Sequence, residues 1–218
     1  MNFFVVIPAH NEKSHIASVI AGVMKTTKNI IIVDDGSSDD TYTEAQKSGK
    51  TVLKHVINLG KGAAMKTGAE MAIKLGAEAI IFIDSDGQHK PADIPRLAKE
   101  LEKADIVFTY RNLKSEHMPI VKKMGNNFLN MLMKLLFGIS LADTQCGFKA
   151  VTASAYKKMN LISNDYNIES EIAAKAGKHR LKYMQIPIET VYRDKYKGTT
   201  ILDGINIASR MIWWKISR

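Results

Sequence analysis

The stretch Ala79-Ile-Ile-Phe-Ile-Asp84-Ser85-Asp86-Gly-Gln88 restricts the possible folds more than any other part of the chain. A continuous apolar run, mostly β-branched or aromatic, stops at two aspartates spaced i, i+2 and followed by glycine. Such a run fits a strand buried on both faces, as in a parallel sheet covered by helices. A strand end that sends two carboxylates into a loop builds a site for a hard divalent cation, and Mg²⁺ or Mn²⁺ in such a site typically bridges to phosphate.

The rest of the first half repeats this pattern. Phe3–Ile7 reads as a strand ended by Pro8, and Ile16, Val19, Ile20, Val23 and Met24 mark one stripe of a helix. Ile30–Val33 is a second strand, stopped by Asp34-Asp35-Gly36, with Asp39 or Asp40 as a cap for the next helix. Thr51–Val56 reads as a third strand, and Ala64, Met65, Gly68, Ala69, Ala72 and Ile73 as another helical stripe. Pro91 opens a helix to about Glu102, and Asp105–Thr109 is a fifth strand. Strands alternating with helices predict an α/β fold with a mainly parallel sheet. Beyond Arg111 the pattern changes: residues 125–141 are apolar-rich, and residues 183–191 alternate like a strand that Pro187 places at an edge. The last residues, 201–218, read as an amphipathic tail with Trp213-Trp214 flanked by Arg210, Lys215 and Arg218.

With 218 residues the chain suits one domain with a sizeable core. A formal charge of +9 implies an anionic partner: nucleic acid, a phosphorylated substrate or a membrane surface. From Lys175 onward ten Lys and Arg face three Asp and Glu, so the positive charge collects near the amphipathic tail. The basic residues lack the aromatic interleaving of a nucleic-acid module, so no nucleic-acid partner is expected. The single cysteine, Cys146, excludes an internal disulfide framework and is expected to serve packing. No leader is evident, and no apolar run reaches the roughly 18 residues of a spanning helix, so an intracellular chain that does not cross the membrane is expected.

Ligands of open α/β sheets bind outside the carboxyl ends of the strands. Here three such ends carry polar loops: Pro8-Ala9-His10-Asn11-Glu12, Asp34-Asp35-Gly36-Ser37 and Asp84-Ser85-Asp86. No Gly-x-Gly-x-x-Gly follows the first strand, which argues against a dinucleotide-dependent dehydrogenase, and Asn58-Leu59-Gly60-Lys61-Gly62 lacks the spacing of a P-loop.

Five ordered segments together resemble the family 2 inverting glycosyltransferases of the GT-A fold, and within them the polyprenol-phosphate glycosyltransferases of the dolichyl-phosphate mannose synthase type. They are 6–12, 32–41, 58–64, 84–91 and 143–149, and the likeness extends through Glu169 to Thr190. The resemblance implies a GT-A (Rossmann-like) mixed, mainly parallel sheet flanked by helices, with a catalytic domain over 1–200 and the tail over 201–218. It implies that Pro8, His10, Glu12, Asp34 and Asp35 cradle the nucleoside, with either aspartate of the pair touching the base. His10 stands where the family often has tyrosine. Asp84 and Asp86, helped by Gln88, would hold Mg²⁺ or Mn²⁺ at the diphosphate, with Ser85 and Lys61 beside the nucleotide sugar. The metal would serve as Lewis acid on the departing nucleotide.

The acceptor distinguishes the subclass. A sugar hydroxyl needs a carboxylate base, whereas a lipid monophosphate is already a nucleophile and needs cations. Arg111 and Arg193 are the expected phosphate clamps, because guanidinium grips phosphate with two parallel bonds, with Lys123 and Lys195 in support. Asp143 would orient those cations or the acceptor. The expected reaction is transfer of a hexose from GDP-mannose or UDP-glucose to a polyprenyl (dolichyl) phosphate, by in-line displacement with inversion. The rival is the same fold acting on a saccharide hydroxyl in polysaccharide or glycan synthesis. Peripheral binding at the cytoplasmic face of a membrane is expected, alone or through a membrane partner subunit.

Overall fold

The computed structural model describes residues 1–111, 120–190 and 201–216. Its first half runs β1 (Phe3–Ala9), α1 (Ile16–Met24), β2 (Ile30–Asp34), α2 (Thr41–Gln46), β3 (Thr51–Lys54), α3 (Lys61–Lys74) and β4 (Ala79–Phe82). A 3-10 turn at Pro91–Asp93 leads into α4 (Ile94–Glu100) and β5 (Ile106–Arg111). There follow α5 (Ile120–Phe137), β6 (Lys149–Thr152), α6 (Ala153–Met159), α7 (Ile168–Lys178), β7 (Tyr183–Ile188) and α8 (Ile201–Ile216).

The strands form one sheet in the order β3-β2-β1-β4-β6-β5-β7, parallel except for β6, which runs antiparallel between β4 and β5. Successive side chains of a strand point to opposite faces. In β1, Phe4 and Val6 therefore enter the core under α3, α5, α7 and α8, whereas Val5 and Ile7 enter the core under α1 and α4. Both faces are buried, which is why β1, β2 and β4 are apolar at every position up to their polar ends. From β1 the chain steps through β2 and β3 to one side, then returns to place β4 on the other. That reversal opens a crevice at the carboxyl ends of β1 and β4, the two strands that lead into the His10 and Asp84 loops.

Several details differ from the sequence pattern. Pro8 does not end β1; it pairs with Val33 on the β2 side, past the last β4 pairing (Val6 with Phe82), where no N–H is needed for β4. The third strand stops at Lys54, and Val56 lies in solvent. Asp39, just before the Asp40 cap of α2, supplies the carboxylate that accepts the Thr41 N–H (2.9 Å). The antiparallel β6 is four residues long and hides behind the loop motif that precedes it. Pro187 lies in the edge strand β7, as expected. Burial pushes the Cys146 thiol up to about 11, in keeping with a packing role.

α3 crosses β1 and β2 closely because it presents Ala64, Gly68, Ala69 and Ala72 to the sheet. A Cβ at Gly68 would run into the Val6 side chain. Gly68→Val is therefore expected to lower unfolding stability by about 2 kcal/mol through overpacking, read as a drop in Tm. An unchanged Tm would show that α3 can lift without cost.

Candidate active site

The loops after β1 and β2 are stitched together. Asn11, at a positive φ of 54°, donates its N–H to the Ser37 hydroxyl (2.9 Å) and accepts the Ser38 N–H on Oδ1 (2.9 Å). The Glu12 N–H donates to the Thr41 hydroxyl (2.8 Å), and the Glu12 carboxylate meets His15 Nδ1 at 3.0 Å. His10 Nδ1 donates to the Asp35 carbonyl (2.9 Å), while Nε2 faces the side-chain amides of Asn11 (3.2 Å) and Asn58 (3.1 Å). Two amide donors on Nε2 place the ring proton on Nδ1 and fix the plane of an exposed aromatic ring at the crevice.

The two aspartates after β2 have separate roles. Asp35 takes His55 Nδ1 (2.6 Å) and the N–H groups of Leu59 (3.0 Å) and Gly60 (2.8 Å), and so ties the loop before α3 to the β2 end. Gly36 is required between them: at φ 64° its Cα lies against the Ile57–Asn58 peptide, where a Cβ would collide. Asp34, fully buried, accepts the Ser37 N–H on Oδ2 (3.3 Å), while its Oδ1 has no hydrogen-bond partner among the described residues.

Behind these loops lies a charge cluster in which Glu169 and Lys149 are buried and Asp84 and Lys61 half-buried. Asp84 Oδ1 is 2.6 Å from Lys61 Nζ, and Asp84 Oδ2 is 3.3 Å from His89 Nε2. Lys61 also reaches Glu169 Oε1 at 2.8 Å, and Lys149 pairs with the other oxygen of Glu169. Burial opposes the charge on Lys61, but Asp84 and Glu169 outweigh it and hold the ammonium far above the usual lysine range. Burial likewise opposes ionisation of Asp84, and Lys61 and His89 overcome it. Asp86 has no cation of that kind: burial first, then the charge of Asp84, pushes its carboxyl up. Gln88 meets Asp86 through its backbone N–H (2.9 Å); the side chain that meets Asp84 is that of His89, tilted against Phe148 with ring centroids 5.4 Å apart. Ser85 is buried between the two aspartates. The 143–149 loop closes over this cluster, and a Cβ at Gly147 would overlap the Asp84 carboxylate.

At the other end of that loop Asp143, with a fully buried side chain, grips Arg111 twice: Nε to Oδ2 at 2.7 Å and Nη2 to Oδ1 at 3.2 Å. The Gln145 N–H adds a third bond to Asp143, and the Gln145 side chain crosses to Ser170 on α7 (2.7 Å). Arg111 and Asp143 thus belong to one unit, with the guanidinium plane set by the carboxylate. Lys123 falls in the first turns of α5, but its side chain lies outside what the structure describes, as do Arg193 and Lys195 altogether. Sequence reasoning gave no role to His89, Lys149 or Glu169: Lys149 and Glu169 act through partners remote in the chain, and His89 presses on Asp84 five residues before it.

A family model for "Glycosyl transferase family 2" matches residues 4–160. An uncharacterized protein of Methanocaldococcus jannaschii is 38% identical, over 98% of this chain and 92% of the relative. The UDP-N-acetylglucosamine–dolichyl-phosphate N-acetylglucosaminyltransferase of Methanococcus voltae is 33% identical, over 99% of this chain and 96% of its own length. Among solved structures, glucosyl-3-phosphoglycerate synthase from Mycobacterium tuberculosis, in complex with Mg²⁺ and UDP, shares the fold with a TM-score of 0.72. It is 21% identical, covering 97% of this chain and 76% of that one. On the family match and these relatives, the chain belongs to glycosyl transferase family 2.

Proposed function

We propose that the protein moves a sugar from a nucleotide-diphosphate sugar onto a polyprenyl phosphate, with inversion at the anomeric carbon. The observation that carries this reading is the pairing of three carboxylates at the crevice with cations; the fourth, Asp86, which lacks one, is assigned to the metal. Asp143 is committed to Arg111, Glu169 to Lys61 and Lys149, and Asp84 to Lys61 and His89. A carboxylate neutralised by a buried cation is a poor base for a sugar hydroxyl, whereas a phosphate acceptor arrives already charged and needs only cations. Arg111, its plane fixed by Asp143, suits two-pronged recognition of that phosphate. The printed activity of the Methanococcus voltae relative, transfer to dolichyl phosphate, supports the same acceptor class. That name also adds UDP-N-acetylglucosamine to GDP-mannose and UDP-glucose as donors to be tested.

The residues present fit a divalent cation. Asp86 is pushed towards its protonated form partly by the charge of Asp84, and a hard cation between two such oxygens would relieve that repulsion. Asp84 and Asp86 would hold Mg²⁺ or Mn²⁺; when bound, the ion would stabilise charge on the departing diphosphate. The chain's own contribution is positional. The His10 ring and the Asp34–Asp35 loop would hold the nucleoside, and the 143–149 loop would set the acceptor phosphate of Arg111 behind the anomeric carbon.

A lipid acceptor requires contact with a membrane. No helix among the described residues is long and apolar enough to cross one. α5 and α8 pack on each other and turn Leu129, Met133, Ile207, Met211 and Trp214 into the core. Their outer sides expose Phe128, Met131 and Leu135 on α5, and Ile212, Trp213 and Ile216 on α8, beside Lys134 and Lys215. Apolar side chains flanked by cations suit the surface of an anionic leaflet, which supports peripheral binding, here proposed at the cytoplasmic face.

The reading is tested by offering radiolabelled GDP-mannose, UDP-glucose and UDP-N-acetylglucosamine separately with Mn²⁺ and dolichyl phosphate. One donor is expected to put EDTA-sensitive label in the organic phase, and Asp86→Ala to lower that rate by about 10²-fold or more. Label on a saccharide but never on lipid would favour the hydroxyl acceptor instead. Trp213→Asp is expected to weaken sedimentation with anionic vesicles about ten-fold; unchanged sedimentation would move the contact away from α8. A third outcome concerns stability in EDTA. Because the Asp86 carboxyl is raised, the folded protein keeps a proton there that the unfolded chain has released, and stability falls as pH rises through that window. Asp86→Asn is therefore expected to raise Tm at neutral pH while transfer is lost; a lower Tm would contradict the repulsion.

A further inference from the structure

We propose that Lys61 is a displaceable internal counter-ion: it blocks Asp84 against free divalent cations and releases it only when a nucleotide diphosphate arrives to take the ammonium. The inference rests on the assignment of Asp84 and Asp86 to the metal.

The placement of Lys61 is built in. It opens α3 between Gly60 and Gly62, and a Cβ on either glycine would strike the backbone of Asn164 or Ser163. The helix start is pressed onto that loop, and the Lys61 side chain leaves it towards Asp84 (2.6 Å) and Glu169 (2.8 Å). A metal ion at Asp84 would have to approach an oxygen that already faces a positive charge, and like charges at one carboxylate oppose each other. Lys61 and Lys149 offset Asp84 and Glu169 one for one, so a bare divalent ion adds its charge to carboxylates that already have cations. A diphosphate arriving with the ion reverses the balance and offers the ammonium new oxygens.

Lys61 can leave without stranding a partner. Glu169 keeps Lys149 on its other oxygen, and Asp84 keeps His89 and gains the ion. The cluster is thus stable with the ammonium in either place, and its rest state excludes the metal. Nucleotide and cation therefore bind as a coupled pair, each raising the affinity for the other.

The experiment is Mn²⁺ titration of the full chain, followed by the loss of the free-ion EPR signal, without nucleotide and with saturating UDP or GDP. Wild type is expected to bind Mn²⁺ weakly alone and tightly with one of the nucleotides. Lys61→Gln is expected to bind Mn²⁺ without nucleotide about ten-fold tighter than wild type, and to lose most of the nucleotide effect. Lys61→Arg, which keeps the charge, is expected to stay near wild type. Should Lys61→Gln fail to fold by circular dichroism, Lys61→Met is read in its place. Unchanged or weaker nucleotide-free Mn²⁺ binding in a folded neutral variant overturns the inference, while wild type still binds the ion with nucleotide. Wild type that binds no Mn²⁺ even with UDP and GDP overturns the metal assignment itself.

Discussion

Four charges from four elements meet beneath the crevice: Asp84 after β4, Lys61 at the start of α3, Glu169 on α7 and Lys149 at the start of β6. Of these, Lys149 and Glu169 are buried and persist only as partners, because removing one leaves an uncompensated charge at a cost of about 3–5 kcal/mol. The cluster therefore fixes how α3 and α7 sit on the sheet as firmly as their apolar stripes do. It also constrains β6. Its first residue must deliver an ammonium beneath Glu169, and the loop before it must pass over Asp84, where only glycine fits at position 147.

Much of this was legible in the chain, and the reason is periodicity. Strands buried on both faces read as unbroken apolar runs, so β1, β2 and β4 and their polar ends stood out, and with them the three loops that meet at the crevice. Arg111 and Asp143 were each visible, one at a strand end and one in a motif, but their pairing shows only in the fold. What stayed hidden depends on pairing across long sequence distances. Lys149 closed the 143–149 motif and Glu169 opened the stretch to Thr190, and nothing in either segment says that the two meet. His89 is masked differently: it lies inside a readable motif, but only the fold shows that it presses on Asp84 with its ring against Phe148. Pro8 misled because a proline in a strand usually ends it, and the exception depends on where the neighbouring strand stops.

The division of work between the two aspartates after β2 follows from the same accounting. A carboxylate has room for about four hydrogen bonds. Asp35 spends its capacity on His55 and on two backbone N–H groups, and so converts a flexible loop of exposed Val56 and Ile57 into a fixed wall of the crevice. Asp34 receives one backbone bond and keeps a buried oxygen without a partner among the described residues. An unpaired buried carboxylate oxygen costs stability, and such costs are concentrated at binding sites. One aspartate shapes the loop, and its neighbour retains an acceptor at the same strand end.

α8 shows how one helix can serve two environments. Trp213 and Trp214 are adjacent in sequence, so on a helix they point about 100° apart. Trp214 enters the core beside Met211, while Trp213 stays more than half exposed at 55%. The helix is therefore no detached tail: its inner stripe belongs to the same core as Phe82 and Phe108, and removing it would uncover α5 as well. Its outer stripe has no packing reason to be apolar, and neither have Met131 and Leu135 across on α5. A surface that holds large apolar side chains among lysines, on helices already anchored by their other faces, is suited to a partner that is apolar within and anionic at its rim. The acceptor that the crevice requires has that character, a phosphate carried on a hydrocarbon chain, so the catalytic crevice and the outer face of α5 and α8 point to one substrate.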